Sequence, residues 1–97
     1  MDVKLIKLVT GEEIVAEIIS SDDTSVTVGK AVAAVLQPGR DGSLSVGFIP
    51  WGTLSKKNKT ISMSQVVYIT TPEDDVASQF SSMFSGIVTP PKTLITG

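Results

Sequence analysis

Short runs of alternating β-branched residues, set apart by brief polar turns, constrain this chain most, because a period of two suits strands and not helices. Val3 to Thr10 and Glu13 to Ser20 are two such runs, with only Gly11-Glu12 between them. That spacing predicts a tight hairpin with glycine supplying a positive φ. In the second run Ile14, Ala16 and Ile18 share one face and Val15, Glu17 and Ile19 the other. Ser21-Asp22-Asp23-Thr24 reads as a turn, since Asp and Ser side chains satisfy nearby backbone N–H groups.

Ser25 to Leu36 is apolar or small on both faces, which predicts a strand covered on both sides. Gln37 to Gly42 breaks it, and Leu44, Val46 and Phe48 resume the alternation until Pro50, which marks an edge or a strand end. Gly52 to Lys59 is a polar loop. Thr60 to Thr71 gives a short strand, an interruption at Ser62 to Gln65, and a last strand with Val66, Val67, Tyr68 and Ile69. A helix is expected over about 72–85, with Thr71 as N-cap, Pro72 at its first position and Asp74 in a capping-box role. Val76, Phe80, Met83 and Phe84 form its apolar stripe, placed over an open barrel end or against a partner, and Gly86 its C-terminal cap. Residues 87–97, with Pro90-Pro91, form an extended tail, leaving 1–86 as one domain.

Ninety-seven residues sit near the lower end of what one core sustains, so burial through oligomer contacts is expected. The chain has neither Cys nor His, which removes disulfides, thiolate and imidazole metal sites and the usual near-neutral proton shuttle. The acids at Glu12-Glu13, Asp22-Asp23 and Glu73 to Asp75 occupy turn and cap positions that explain them without chemistry. With no nucleophile beside a base and no phosphate loop, a non-catalytic protein without metal or cofactor is expected. A net charge of -2 gives no global basic field, so any nucleic-acid site must be local. Met1 to Lys7 contain an acid and two Lys and flow directly into a strand pattern, unlike a signal peptide, and no apolar run is long enough to span a bilayer, predicting a soluble, cytoplasmic protein.

Leu8, Gly11, Ile14, Ala16 and Ile18 resemble the first Sm motif in residue type and spacing. Ile61, Val66, Tyr68 and Ile69 resemble the second. With Gln37-Pro38, Pro50-Trp51 and the acidic Pro-initiated segment after the last strand, the chain is similar over residues 3–86 to the small Sm-like proteins of marine cyanophages. That resemblance implies a strongly bent five-stranded antiparallel barrel whose edge strands pair between subunits into a homo-oligomeric ring, in a phage protein acting in the host cytoplasm. Ring closure would also remove the two edges that an open barrel leaves.

Sm rings that bind uridine-rich RNA hold the bases with an Asp and Asn after the second strand and an Arg-Gly before the last. Asp22 matches the Asp; the Asn position falls on Val26 or Ser25, and Ser62 and Met63 stand where Arg-Gly would be, followed by Ser64 and Gln65. Losing that Arg removes a stacking donor, and a stacked base is worth roughly 1–3 kcal/mol. RNA or single-stranded DNA held through Asp22, Ser25 and Ser62 to Gln65 is the leading expectation, and a protein-assembly ring without nucleic acid the alternative. Lys56, Lys57 and Lys59 could form a basic collar on phosphate, or simply make a solvated loop that keeps an edge from aggregating. Trp51 could stack a base, but a core or subunit contact suits a lone Trp better.

Overall fold

The computed structural model describes residues 2–84 and is mainly β. Its strands are β1 (Val3–Leu8), β2 (Glu13–Ser21), β3 (Ser25–Pro38), β4 (Leu44–Pro50), β5 (Lys59–Ser62) and β6 (Val66–Thr70). A 3-10 turn, Met63–Gln65, joins β5 to β6, and a helix, α1 (Asp74–Phe84), follows. All pairings are antiparallel, in the order β4-β3-β2-β1-β6, with β5 on β3. The strands number six, matching the six runs of the sequence rather than the five that the resemblance implies.

The long strand β3 carries two partners in succession. Its first part, Ser25 to Val28, pairs with β5, and its later part, Val32 to Pro38, pairs with β4. The β2–β3 register shifts twice, with an extra residue in β3 between Val28 and Ala31 and an extra one in β2 between Ile18 and Ser20 that restores the register. Such irregularities bend a strand and reset which side its residues face. Val26 and Val28 therefore point into the same core as Ala33, although their sequence parity differs. Gly29 lies at the bend, where an added Cβ would sit 2.8 Å from a Glu17 carboxylate oxygen and 3.1 Å from Ile19 Cδ1.

The β1–β2 connection differs from the expected two-residue turn. Gly11 N–H donates to Leu8 O (2.9 Å) and Leu8 N–H to Glu12 O (2.8 Å), enclosing Val9, Thr10 and Gly11. Gly11 has φ +95°, the positive value that a bulged three-residue hairpin requires.

Two apolar clusters occupy opposite faces of this sheet. Inside the bend, Ile6, Leu8, Ile14, Ala16, Val26, Val28 and Ala33 pack together, with Trp51, Ile61, Met63, Val66 and Ile69 against them. On the other face Val15, Val32 and Phe80 are buried, flanked by Val3, Leu5, Phe48, Val76 and Phe84. Neighbours Ile14, Val15 and Ala16 are all fully buried because each side of β2 is covered. The helix thus lies across the sheet's second face rather than over a barrel end. The cover stops short of the β3–β4 hairpin, where Leu36 and Leu44 are 67% and 64% exposed.

The helix begins two residues later than the sequence suggests. Glu73 O accepts the first helical bond, from Ala77 N–H (2.9 Å), while Thr71 Oγ1 instead accepts from Lys4 Nζ (3.4 Å). Pro72 is buried beside Leu5 and Val76, and seating that ring on the sheet keeps the chain extended through Glu73. Asp74 and Asp75 still occupy the first turn, where the helix dipole favours them. At the other end Lys30 Nζ donates to Phe84 O (3.3 Å) and lies 6.0 Å from the Phe84 ring. The expected Gly86 cap and the 87–97 tail fall outside the described residues. Among the described residues, no helix is long and apolar enough to cross a membrane.

Candidate nucleic-acid interface

Two of the predicted segments meet at one end of the sheet. Ser25 stands opposite Ser62 in the β3–β5 register, and Met63 N–H donates to Thr24 O (2.8 Å). The β2–β3 turn therefore rests on the Met63–Gln65 turn. Val9 N–H donates to Gln65 O (2.9 Å), which brings the β1–β2 loop to the same end.

Asp22 builds its own turn. Its Oδ1 accepts from Thr24 N–H (2.8 Å), Thr24 Oγ1 (2.9 Å) and Ser25 N–H (2.9 Å). These bonds, the Thr24 amide first, favour the ionised carboxyl and hold it below its ordinary value of 3.8. A depressed native value means that Asp22 stabilises the fold above pH 3.8 and loses that contribution as pH falls through the native value. Asp22→Asn should therefore show a shallower acid decline of the urea midpoint between about pH 5 and 2 than the unmodified protein. Equal slopes would mean that the turn does not hold the carboxylate in solution.

Ser62 caps the 3-10 turn, its Oγ accepting from Ser64 N–H (3.3 Å) and lying 2.9 Å from Ser64 Oγ. Gln65 Nε2 reaches Ser64 Oγ at 3.5 Å. Ser62, Ser64 and Gln65 are all exposed. Each hydroxyl keeps further hydrogen-bonding capacity, and the Gln65 side-chain carbonyl can accept. Met63 packs against the inner core and its N–H is taken by Thr24 O, so its side chain belongs to the packing rather than to the exposed rim.

The lysines divide. Lys59 is partly buried, and its ammonium donates to Ser55 O (2.8 Å) and Lys57 O (3.2 Å), holding the 51–58 loop closed. Its stem lies over Gly52, where an added Cβ would sit 2.6 Å from Lys59 Cε and would strain a backbone held at φ +66°. Lys56 and Lys57 are exposed on that loop. Lys59 and Ser62 bound β5, so the basic loop and the serine turn flank opposite ends of one strand.

Trp51 packs partly buried against the inner core, and Val76, Phe80 and Phe84 cover the second face; of the predicted contact residues only Met83 points largely outward, at 52% exposure. A polar row went unnoticed in the sequence. Tyr68 O–H donates to Glu13 Oε2 (2.8 Å), and Lys7 Nζ stands 4.0 Å from Glu13 Oε1. The carboxylate beside it raises the Tyr68 phenol above 10.0. The β1–β2 and β1–β6 registers align all three residues, and that pairing was the missing signal.

Among the described residues, no group of three or more acidic, His or Cys side chains could hold a metal ion. Hydroxyls, amides and local cations offer binding chemistry. No protein-family model matches the chain, and a search of curated proteins finds no significant relative.

Proposed function

We propose that the chain is a non-catalytic, Sm-like protein that assembles into a homo-oligomeric ring and holds RNA or single-stranded DNA at the loops around Asp22, Ser25 and Ser62 to Gln65. The observation that carries this reading is the seating of the Asp22–Ser25 turn on the Ser62–Gln65 turn through the Met63–Thr24 bond. Residues forty positions apart thereby offer hydroxyls, an amide and a carboxylate along one rim. Assembly is supported by the strand order, which leaves β4 and β5, both on β3, at one end of the ladder and β6 at the other, each with one unpaired side. Unpaired strand edges invite pairing with another chain. A ring would repeat Lys56 and Lys57 around its axis, so weak phosphate contacts act together.

The exposed Leu36 and Leu44 favour a second reading, a ring that assembles other proteins without a nucleic-acid role. Native mass spectrometry with a pool of short RNA and DNA oligonucleotides separates the two. A closed oligomer carrying oligonucleotide at low salt, weakened at least about tenfold by combined Ser64→Ala and Gln65→Ala changes, is the expected result; a tenfold loss corresponds to about 1.4 kcal/mol. A closed oligomer that takes up no oligonucleotide leaves the protein-assembly reading, and a monomer removes both.

A further inference from the structure

The helix covers the second face of the sheet only in part, and an apolar groove of about 180 Å³ opens where α1 begins. Leu5, Ala34, Leu36 and Val46 line it from the sheet, and Pro72 and Val76 from the segment docked there. Leu36 is 67% exposed at its border. Two glutamates, Glu13 and Glu73, line the same groove. Tyr68 O–H donates to Glu13 Oε2 at 2.8 Å and Lys7 Nζ stands 4.0 Å from Glu13 Oε1, so that carboxylate is already held in place. Glu73, Asp74 and Asp75 are exposed, and no cation among the described residues forms an ion pair with any of them.

Charge decides between the occupants that such a groove could take. The start of a helix supplies about half a unit of positive charge. Lys7 beside Glu13 and Lys4 beside Thr71 add two units, against four negative ones from Glu13, Glu73, Asp74 and Asp75. The border of the groove is therefore negative, which repels a nucleic-acid phosphate or an anionic lipid headgroup and attracts a cation. We propose that the groove docks a segment of another protein that sets an aliphatic side chain on Leu36 and Val46 and brings a neighbouring Lys or Arg to Glu73. Glu13, fixed by Tyr68 before the partner arrives, loses little further freedom on binding.

Methyl-resolved NMR titration of the full chain tests this with three short peptides, one alternating leucine with lysine and two in which glutamine or glutamate replaces the lysine. The lysine peptide should bind tightest and shift the Leu36, Val46 and Val76 methyls, and added salt should weaken it. Leu36→Ser should weaken it by about tenfold. Glu73→Lys should narrow the preference for the lysine peptide over the glutamate one by about fivefold or more. Both side chains are exposed, so neither substitution empties the core. Equal binding of the three peptides, no binding, or binding unchanged in Leu36→Ser would overturn the proposal. Groove methyls that shift when the protein alone is diluted would overturn it in favour of a second copy, and cross-peaks from them to residues beyond Phe84 in the free protein would do so in favour of the chain's own end. The titration needs no oligonucleotide, so loss of this docking site and loss of the nucleic-acid reading are separate outcomes.

Discussion

Phe80→Ala should cost about 3–5 kcal/mol, the range for truncating a buried aromatic residue, and should do so by undocking a whole element. Phe80 is fully buried between Val15 and Val32, and its ring lies 4.8 Å from that of Phe84. An eleven-residue helix has little stability of its own in water, so α1 persists only while its apolar face is docked. Once it leaves, Val15 and Val32 on the central strands face solvent, and the sheet retains only its inner core. Single domains are stable by about 5–15 kcal/mol, so the loss takes a large share. For a domain this size each kcal/mol moves Tm by about 4–8 °C. Gln79→Ala, on the exposed side of the same helix, should stay within about 0.5 kcal/mol. Calorimetry and urea unfolding at one fixed protein concentration give both values, the fixed concentration mattering because any assembly would add to apparent stability. A Phe80→Ala cost below about 1 kcal/mol would mean that the helix does not hold the second face.

The contrast between those two helix positions was legible in the sequence, because Val76, Phe80 and Phe84 recur at the helical period. So was the division of β2 into an Ile14, Ala16, Ile18 face and a Val15 face, which needed only the period of two. What lay beyond such counting depended on strand pairing. The extra residue that β3 carries between Val28 and Ala31 turns it so that Val26, Val28 and Ala33 share one core, and no local pattern around Gly29 announces it. The Thr71 cap read well locally, with Pro72 and Asp74 in the right places. Burial of Pro72 against the sheet overrode it, a tertiary contact outweighing a local preference.

The candidate site was legible in part for the same reason. Asp22 and Ser62 to Gln65 could be placed in loops from their turn chemistry, but their meeting depends on Ser25 pairing with Ser62. Lys59 illustrates the converse. Three lysines in one loop look equivalent as a string, whereas the fold ties the Lys59 ammonium to two carbonyls of its own loop and leaves Lys56 and Lys57 exposed. The run predicts cover on both sides of Leu36, yet Leu36 borders a groove that Val76 of α1 lines and is left exposed.

Pairing of the β4 edge with the β6 edge of another copy would make a prediction that a simple loss of oligomer would not. A contact between β4 of one copy and β6 of the next is heterologous, each subunit giving one edge and receiving the other. Leu44, 64% exposed on β4, and Val67, 59% exposed on β6, can each be replaced by lysine without burying charge in the fold. A lysine on an edge strand opposes pairing with a further chain. Leu44→Lys and Val67→Lys should each sediment as monomers, since each lacks one half of every contact. Mixed in equal amounts, the first contributes an intact β6 and the second an intact β4, so one contact forms and then growth stops at a dimer. Analytical ultracentrifugation of the two variants and of their mixture reads this directly. A mixture that stays monomeric, or a single variant that remains a stable dimer, would show that the edges do not pair head to tail; the second result would point to a self-complementary contact through the unmodified edge. Because neither substitution touches Asp22 or the Ser62–Gln65 turn, oligonucleotide affinity measured on the mixed dimer also separates intrinsic binding by each site from the gain that a closed ring supplies by holding several sites together.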